Sequence, residues 1–313
     1  MTIAGCNCAG RPGNSGTPNV KPFGVTSGLY MVPLNADDGT RNGLDLTSTT
    51  LGADLLALVN HVDPSKRWYP YQGLRNVTQA QADATYETFD NGERTKLRDG
   101  VKNIMFEVTG VTEQYFNATA SACTDFGLVL IDVCNNIKGQ LEGDTLYPRP
   151  VNAGSFDSMY IDAVADASPK VRFTMDYDIL TSDGNQWQVL AADFAPIQPN
   201  ALRGLIDVTL TLVDVVSATE FIADAELNYG PANNPLPFKG GVAANFGLYN
   251  VTDDATITPT TVVESTTVRG RYTFTVPTVA ASDVVTVDLF KAATGNNMNG
   301  YESNTLEFVY SWT

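Results

Sequence analysis

Side chains able to carry out chemistry are few in this chain, and their spacing does not suit catalysis. The single histidine, His61, would have to be the base of any Ser-His-Asp triad, and only Asp63 lies close to it in sequence. A position at a helix end or on the surface is the simpler interpretation. Cys6 and Cys8 are closer than the usual spacing of about two to four intervening residues in metal sites, and no second pair follows. We therefore expect no catalytic residue, no cofactor and no metal site, and the state of Cys6 and Cys8 is open.

Two further patterns suggest binding. Asp176 and Asp178 begin like a calcium loop, but Thr181 stands where such a loop requires glycine. Paired acids on a strand face are the better interpretation. The aromatic run Trp68-Tyr69-Pro70-Tyr71 is compatible with a stacking platform for sugars or single strands, but few basic residues surround it. We interpret that run as core packing or a subunit contact.

Composition points to a mainly β protein that avoids nucleic acid. The chain has 19 basic and 35 acidic residues, a net charge of −16, so it lacks the basic excess needed to neutralise phosphates. Direct reading of DNA or RNA is therefore not expected. Charged residues make up only 17% of the chain, and threonine and valine are abundant, which favours extensive β-sheet over helices.

Nothing in the sequence indicates a membrane or a secretory destination. No apolar run approaches the roughly 18 residues of a membrane span. The amino terminus has neither the basic region nor the apolar core of a signal peptide. We expect a protein made in a cytoplasm, with Cys6, Cys8, Cys123 and Cys134 reduced.

The elements that would position functional side chains fall into an arm and two domains. Residues 1–24, rich in Gly, Pro and Asn, predict an extended arm. Residues 25–199 predict a β domain with a helix over 51–62, a long charged hairpin over 83–109, a short helix over 114–124, a strand-turn-strand unit over 126–141, and strands over 156–161, 171–178 and 186–194.

Residues 200–313 predict a second β domain. Seven strands separated by polar turns are expected over 205–216, 220–227, 243–249, 260–268, 272–276, 284–290 and 306–312. That spacing is typical of an immunoglobulin-like β-sandwich, although the Cys-Trp-Cys pattern of true immunoglobulin domains is missing.

Several segments of the sequence, taken in chain order, resemble one protein family. They are the amino-terminal arm, Trp68-Tyr-Pro-Tyr, the charged hairpin Ala84-Thr-Tyr-Glu-Thr-Phe-Asp-Asn-Gly-Glu, the segment Phe126–Gly139 and Ser155-Phe-Asp-Ser-Met-Tyr. The set resembles the major tail tube proteins of long-tailed bacteriophages, including those of Bacteroidetes hosts. It covers roughly residues 25–195. Residues 200–313 look like the immunoglobulin-like domain that some tail tube proteins carry at the carboxyl end, and only with that domain does the length fit.

The resemblance implies a concrete architecture and role. Subunits would form hexameric rings around a small β-barrel, with one helix (51–62 or 114–124) packed outside and DNA passing through the lumen without specific binding. Rings would stack through residues 86–106 and the arm. The subunit would be assembled in the host cytoplasm and reside in the virion, with itself and other tail proteins as partners. The implied contacts between rings or subunits are Phe89, Asp90, Asn91, Glu93, Arg94, Lys96 and Arg98. Acidic residues expected to face the lumen are Asp157, Asp162, Asp176 and Asp178.

Other functions remain open at this point. A capsid or head-decoration subunit would also be β-rich, acidic and free of catalytic chemistry, and would assemble into shells or trimers instead of tubes. A cell-surface adhesin or carbohydrate-binding module is the alternative from a different class, suggested by Trp68–Tyr71 and the second domain. An enzyme is disfavoured by the lone histidine.

Overall fold

A computed structural model describes residues 23–98, 100–111, 113–120, 125–178, 187–190, 193–228, 235–289 and 300–312. The chain divides into two compact units between Arg203 and Gly204, and the short segment Asn60–Asp63 groups with the second. Both units are built mainly of β-strands, which confirms the predicted fold class. Most of the predicted arm, residues 1–22, lies outside the described residues, as do Cys6, Cys8 and Cys123.

The first unit contains two α-helices and fourteen of the described strands. The helices are α1 (Leu51–Val59) and α2 (Glu113–Ala120). The strands are β1 (Thr26–Pro33), β2 (Leu44–Asp45), β3 (Tyr69–Gln72), β4 (Arg75–Gln81), β5 (Thr85–Thr88), β6 (Arg94–Arg98), β7 (Lys102–Thr109), β8 (Phe126–Asp132), β9 (Ile137–Glu142), β10 (Thr145–Tyr147), β11 (Arg149–Pro150), β12 (Asp157–Ile161), β13 (Lys170–Asp176) and β14 (Trp187–Leu190).

Strand β8 is the centre of this unit because both of its faces are buried. The main sheet runs β2-β10-β9-β8-β1-β3, and every residue of β8 is buried. Val129 and Ile131 join the core beneath α1, which contains Leu55. The alternate residues, such as Leu128, join a second core against the sheet β12-β13-β7-β4, which contributes Phe106 among others. A strand covered on both sides requires a continuous apolar run, and the sequence has one there.

Helix α1 follows from the spacing of its apolar residues. Leu51, Leu55 and Val59 recur at intervals of four and lie buried on one side. Gly52 is required where the helix meets the chain that follows β14, because a Cβ there would lie 2.2 Å from the carbonyl oxygen of Phe194. The predicted helix over 51–62 is therefore present but ends three residues earlier.

A buried carboxylate fastens three segments of the first unit together. Asp132 is fully buried, and its carboxylate accepts hydrogen bonds of 2.7–2.9 Å from the backbone of Gly24, Cys134 and Asn136 and from the Asn136 side chain. Its carbonyl oxygen accepts a hydrogen bond of 2.7 Å from the Asn200 side chain. The start of the described chain and the linker to the second unit are thus held at one point.

The second unit is a β-sandwich of ten described strands. Its two sheets run β20-β21-β16-β15-β23, with β17 on β16, and β19-β18-β22-β24. Between them lies one apolar core in which Phe221 stacks on Phe274 with ring centroids 4.6 Å apart. The strands are β15 (Ile206–Ser217), β16 (Glu220–Leu227), β17 (Leu236–Pro237), β18 (Phe246–Asn250), β19 (Ala255–Ile257), β20 (Thr261–Glu264), β21 (Arg271–Thr275), β22 (Val284–Leu289), β23 (Tyr301–Ser303) and β24 (Leu306–Val309).

Two sequence expectations need correction. In the hairpin predicted over 83–109, residues 104–108 were expected to pair with residues 85–89. They belong instead to β7, which pairs with β4 and β13, and the partner of β5 is β6. The strand expected from Ala243 begins at Phe246, because Ala243–Asn245 forms a 3₁₀ turn in which the Asn245 side chain accepts a hydrogen bond from the Val242 N–H.

Candidate assembly interface

The predicted contact residues lie on a hairpin that continues directly from the sheet β12-β13-β7-β4. Strands β4 and β7 are paired as far as Gln81 and Lys102. Beyond them the Ala82 N–H donates to the Val101 carbonyl at 2.9 Å. A Cβ at Gly100 would lie 1.6 Å from the Ala82 carbonyl oxygen, so only glycine permits this close approach. The paired chain then continues into β5 and β6.

A tight turn closes the far end of the hairpin. The Phe89 N–H donates to the Glu93 carbonyl at 2.9 Å, and the Gly92 N–H donates to the Phe89 carbonyl at 2.8 Å. Gly92 has a φ of 85°, which favours glycine. Asp90 and Asn91 form the tip between them. Six predicted contact residues therefore lie together on this tip and on β6: Phe89, Asp90, Asn91, Glu93, Arg94 and Lys96. Arg98 ends β6, and its side chain lies outside the described part.

The hairpin exposes both of its faces. Every residue from 85 to 97 is solvent-exposed, including Tyr86 (52%), Phe89 (44%) and Leu97 (60%). A two-stranded ribbon with no covering layer is marginal in water. Exposed aromatic and aliphatic side chains on such a ribbon are typical of an interaction surface. This exposure makes the hairpin the leading candidate for a contact with another chain.

A buried carboxylate, which sequence reasoning did not identify, lies in the same sheet at the end of β4 and β7 that is farther from the hairpin. Glu107 on β7 is 1% exposed and accepts hydrogen bonds from Lys170 Nζ (2.8 Å), Arg172 Nη2 (2.8 Å) and Asn76 Nδ2 (2.6 Å). Asn76 has a φ of 49° and lies in a β-bulge of β4. The cluster therefore ties the bulge to the two central strands. The signal available in the sequence was a glutamate within the apolar run that ends at Val108.

The hydrogen-bond donors around Glu107 keep its carboxyl group ionised. Burial raises the pKa of its carboxyl, but the hydrogen bonds from Lys170, Arg172 and Asn76 outweigh burial, and the pKa falls to about 2. Glu107 is therefore ionised at neutral pH and holds both cations.

The sheet behind the hairpin ends in two open strands. Among the described residues, β12 and β4 are the outer strands of the order β12-β13-β7-β4, and each is bonded on one side only. In an antiparallel ladder, the N–H groups of successive residues point alternately to the two sides of a strand. The Tyr177 N–H donates to the Lys102 carbonyl at 2.8 Å, which shows which residues of β13 and β7 point toward each other. By that alternation the N–H groups of Ser158 and Tyr160 on β12, and of Gln79 on β4, point away from the sheet. Both edges have N–H groups that could pair with a further strand, and α2 packs beside β12, with the rings of Phe116 and Tyr160 6.1 Å apart.

The four acidic residues expected to face a lumen are only partly together. Asp157 and Asp176 lie on the face of this sheet that points away from the core. Asp162 follows the end of β12, and Asp178 lies beyond the opposite end of the sheet, after β13. The charged side chains that the register places on the face are Asp157, Asp176 and Glu107, with Arg75, Lys170 and Arg172. The face is therefore balanced in charge, and lumen exposure of the four acids stays a prediction.

Sites of other chemistry are accounted for by local structure. The Asp63 N–H donates to His61 Nδ1 at 3.0 Å, just after α1. Trp68 is fully buried with its ring 5.6 Å from that of Tyr30, so it offers no platform to a sugar. Tyr71 packs against Phe173 at 5.7 Å. In the described part of the chain, no group of three or more His, Cys, Asp or Glu side chains is placed to hold a metal ion.

Comparison of the chain with known protein families and with curated proteins finds no relative. No helix among the described residues has the length and hydrophobicity needed to cross a membrane.

Proposed function

We propose that this protein is the major subunit of a bacteriophage tail tube, a structural virion protein that self-assembles into stacked rings through which DNA leaves the particle. The rings are hexameric in this proposal, and the subunit assembles in the host cytoplasm before it becomes part of the virion. Its partners are further copies of the chain and other tail proteins. DNA passes through the lumen without specific binding.

The observation that carries the proposal is the sheet β12-β13-β7-β4 with both outer strands open. Open edges are usually covered, charged or shortened in proteins that remain monomeric. β12 and β4 are different surfaces of the same chain, so pairing one with the other on a neighbouring copy is heterologous and closes into a ring when the rotation permits. The exposed hairpin leaves the same sheet and supplies a second contact, suited to stacking.

Electron microscopy of the purified full chain over a range of concentrations tests the proposal. Hollow tubes or six-fold rings are the expected result. Closed shells or trimers would support a capsid or head-decoration subunit instead. Monomers at every concentration, together with glycan binding, would support the carbohydrate-binding alternative.

A substitution at the open edge of β12 tests the observation itself. Ser158→Pro removes an N–H that points away from β13, so the internal ladder keeps its hydrogen bonds while the edge loses a donor. We expect folded protein, by circular dichroism, that forms no rings or tubes. Ser158→Ala removes the hydroxyl but keeps the N–H, and is the matched control that should assemble. Normal assembly of Ser158→Pro would contradict pairing through β12.

A further inference from the structure

The two faces of the hairpin differ in charge. Cross-strand pairing sets Tyr86 opposite Lys96 and Thr88 opposite Arg94, so these four side chains share what we term the basic face. Glu87 lies opposite Thr95 on the other side. Continued alternation toward the tip places on that acidic face Glu87, Thr95, Phe89 and Glu93.

Each face also offers apolar and aromatic groups to a partner. Tyr86 lies on the basic face and Phe89 lies on the acidic face, both exposed. Stacking one face on the other would bring the cations Arg94 and Lys96 near the Phe89 ring as well as near carboxylates. A cation and the face of an aromatic ring attract each other. Opposite charges across the contact fix the register of the two hairpins.

The hairpin is also electrically distinct from the chain that carries it. Residues 85–98 contain three acids (Glu87, Asp90 and Glu93) and three bases (Arg94, Lys96 and Arg98), and so are neutral, whereas the whole chain carries −16. Two copies therefore repel each other over most of their surfaces. They do not repel through this segment, where equal and opposite charges lie on opposite faces.

From this arrangement we propose that hairpins of adjacent copies stack on one another, the basic face of one against the acidic face of the next. The occupant of each face is thus a second copy of this chain. The contact is heterologous, because each hairpin offers two different faces, and it can be repeated from copy to copy. The inference rests on the proposed function in assuming self-assembly, and it specifies which surfaces meet.

Charge reversal on each face provides the test. One variant carries Arg94→Glu and Lys96→Glu, the second carries Glu87→Lys and Glu93→Lys, and the third carries all four substitutions. All are exposed positions, so the fold is retained. Matched controls with the same changes in net charge are Arg203→Glu with Arg269→Glu, and Asp214→Lys with Glu307→Lys, all at exposed sites. Self-association is measured by sedimentation equilibrium, and tube formation by electron microscopy.

The expected pattern is loss and rescue. Each two-residue hairpin variant should weaken self-association about tenfold or more, since like charges then face each other. The four-residue variant should associate like the wild type, and an equimolar mixture of the two weakened variants should regain association. The controls should behave as the wild type does.

Two results would overturn the inference while leaving the proposed function intact. One is wild-type association by both two-residue variants. The other is weakened association of both two-residue variants that is not restored in the four-residue variant. That result would mean that the hairpin faces meet some other surface. Wild-type protein that associates with the expected rescue pattern but forms no tubes or rings would overturn the proposed function and keep the inference. Absence of any wild-type association would overturn both.

Discussion

Replacing Glu107 with glutamine should destabilise the first unit by about 3 kcal/mol at neutral pH. Lys170, Arg172 and Asn76 together hold the pKa of Glu107 at about 2, against 4.5 for the ordinary side chain. A difference of about 2.5 between the pKa values is about 3 kcal/mol. Because the folded pKa lies below the unfolded one, this stability is present above pH 4.5 and is lost as the pH falls through 2. At pH 3 only about 1 kcal/mol should remain.

The assay is urea unfolding of the wild type and of Glu107→Gln at pH 7, 5, 4 and 3, followed by tryptophan fluorescence. Both proteins carry Trp312→Phe, so that Trp68 and Trp187 report on the first unit alone. The difference between their free energies of unfolding should shrink from about 3 kcal/mol at pH 7 to about 1 kcal/mol at pH 3.

A matched control makes the result specific to burial. Glu142 pairs with Arg41 through hydrogen bonds that lower the pKa of its carboxyl, but its side chain is 35% exposed and that of Arg41 is 47% exposed. Glu142→Gln should therefore cost less than about 1 kcal/mol. A difference for Glu107→Gln that is as small as this, or one that does not change between pH 7 and pH 3, would refute the reasoning.

Three further substitutions have defined outcomes. Asp132→Asn places an amide where two donors converge on one carboxylate oxygen. It should lower the free energy of unfolding in urea by about 3 kcal/mol, and a decrease of less than about 1 kcal/mol would contradict the role of the charge. Gly52→Ala should cost about 1–3 kcal/mol despite the helix preference for alanine, because its Cβ meets the Phe194 carbonyl; a more stable variant would show that the contact relaxes. Phe221→Ala should cost about 3–5 kcal/mol in the second unit, measured by hydrogen exchange in its strands, and hydrogen exchange in the first unit should be unchanged.

Local pattern predicted the elements whose burial is simple. Helix α1 was found from leucine spacing because one side faces a core. The strand β8 was found because burial on both faces requires an unbroken apolar run. Strand β4 was missed, since its sequence Arg-Asn-Val-Thr-Gln-Ala-Gln is almost wholly exposed and carries no apolar alternation. Its partner, β7, was consequently assigned to the wrong hairpin.

Pairing between distant segments was the part that sequence could not supply. β8 and β9 are linked by a tight turn, as predicted, yet they share only two paired positions, and the long partner of β8 is β1. The position of the charged tip was predicted from Asp90-Asn91-Gly92, which has strong local turn chemistry. The opposite charge of its two faces depends on the register of β5 and β6, including the bulge before Tyr86, and no local signal gives that register.

The carboxylate of Asp132 has a mechanical consequence. This carboxylate fixes the backbone at Gly24. The backbone carbonyl of Asp132 accepts a hydrogen bond from the side chain of Asn200, three residues before the first unit ends at Arg203. Pro199 is held as well, by the hydroxyl of Tyr30 at 3.0 Å. Tension applied to the second unit would therefore pass through these hydrogen bonds into the main sheet, at the end of β8 through Asp132 and into β1 through Tyr30.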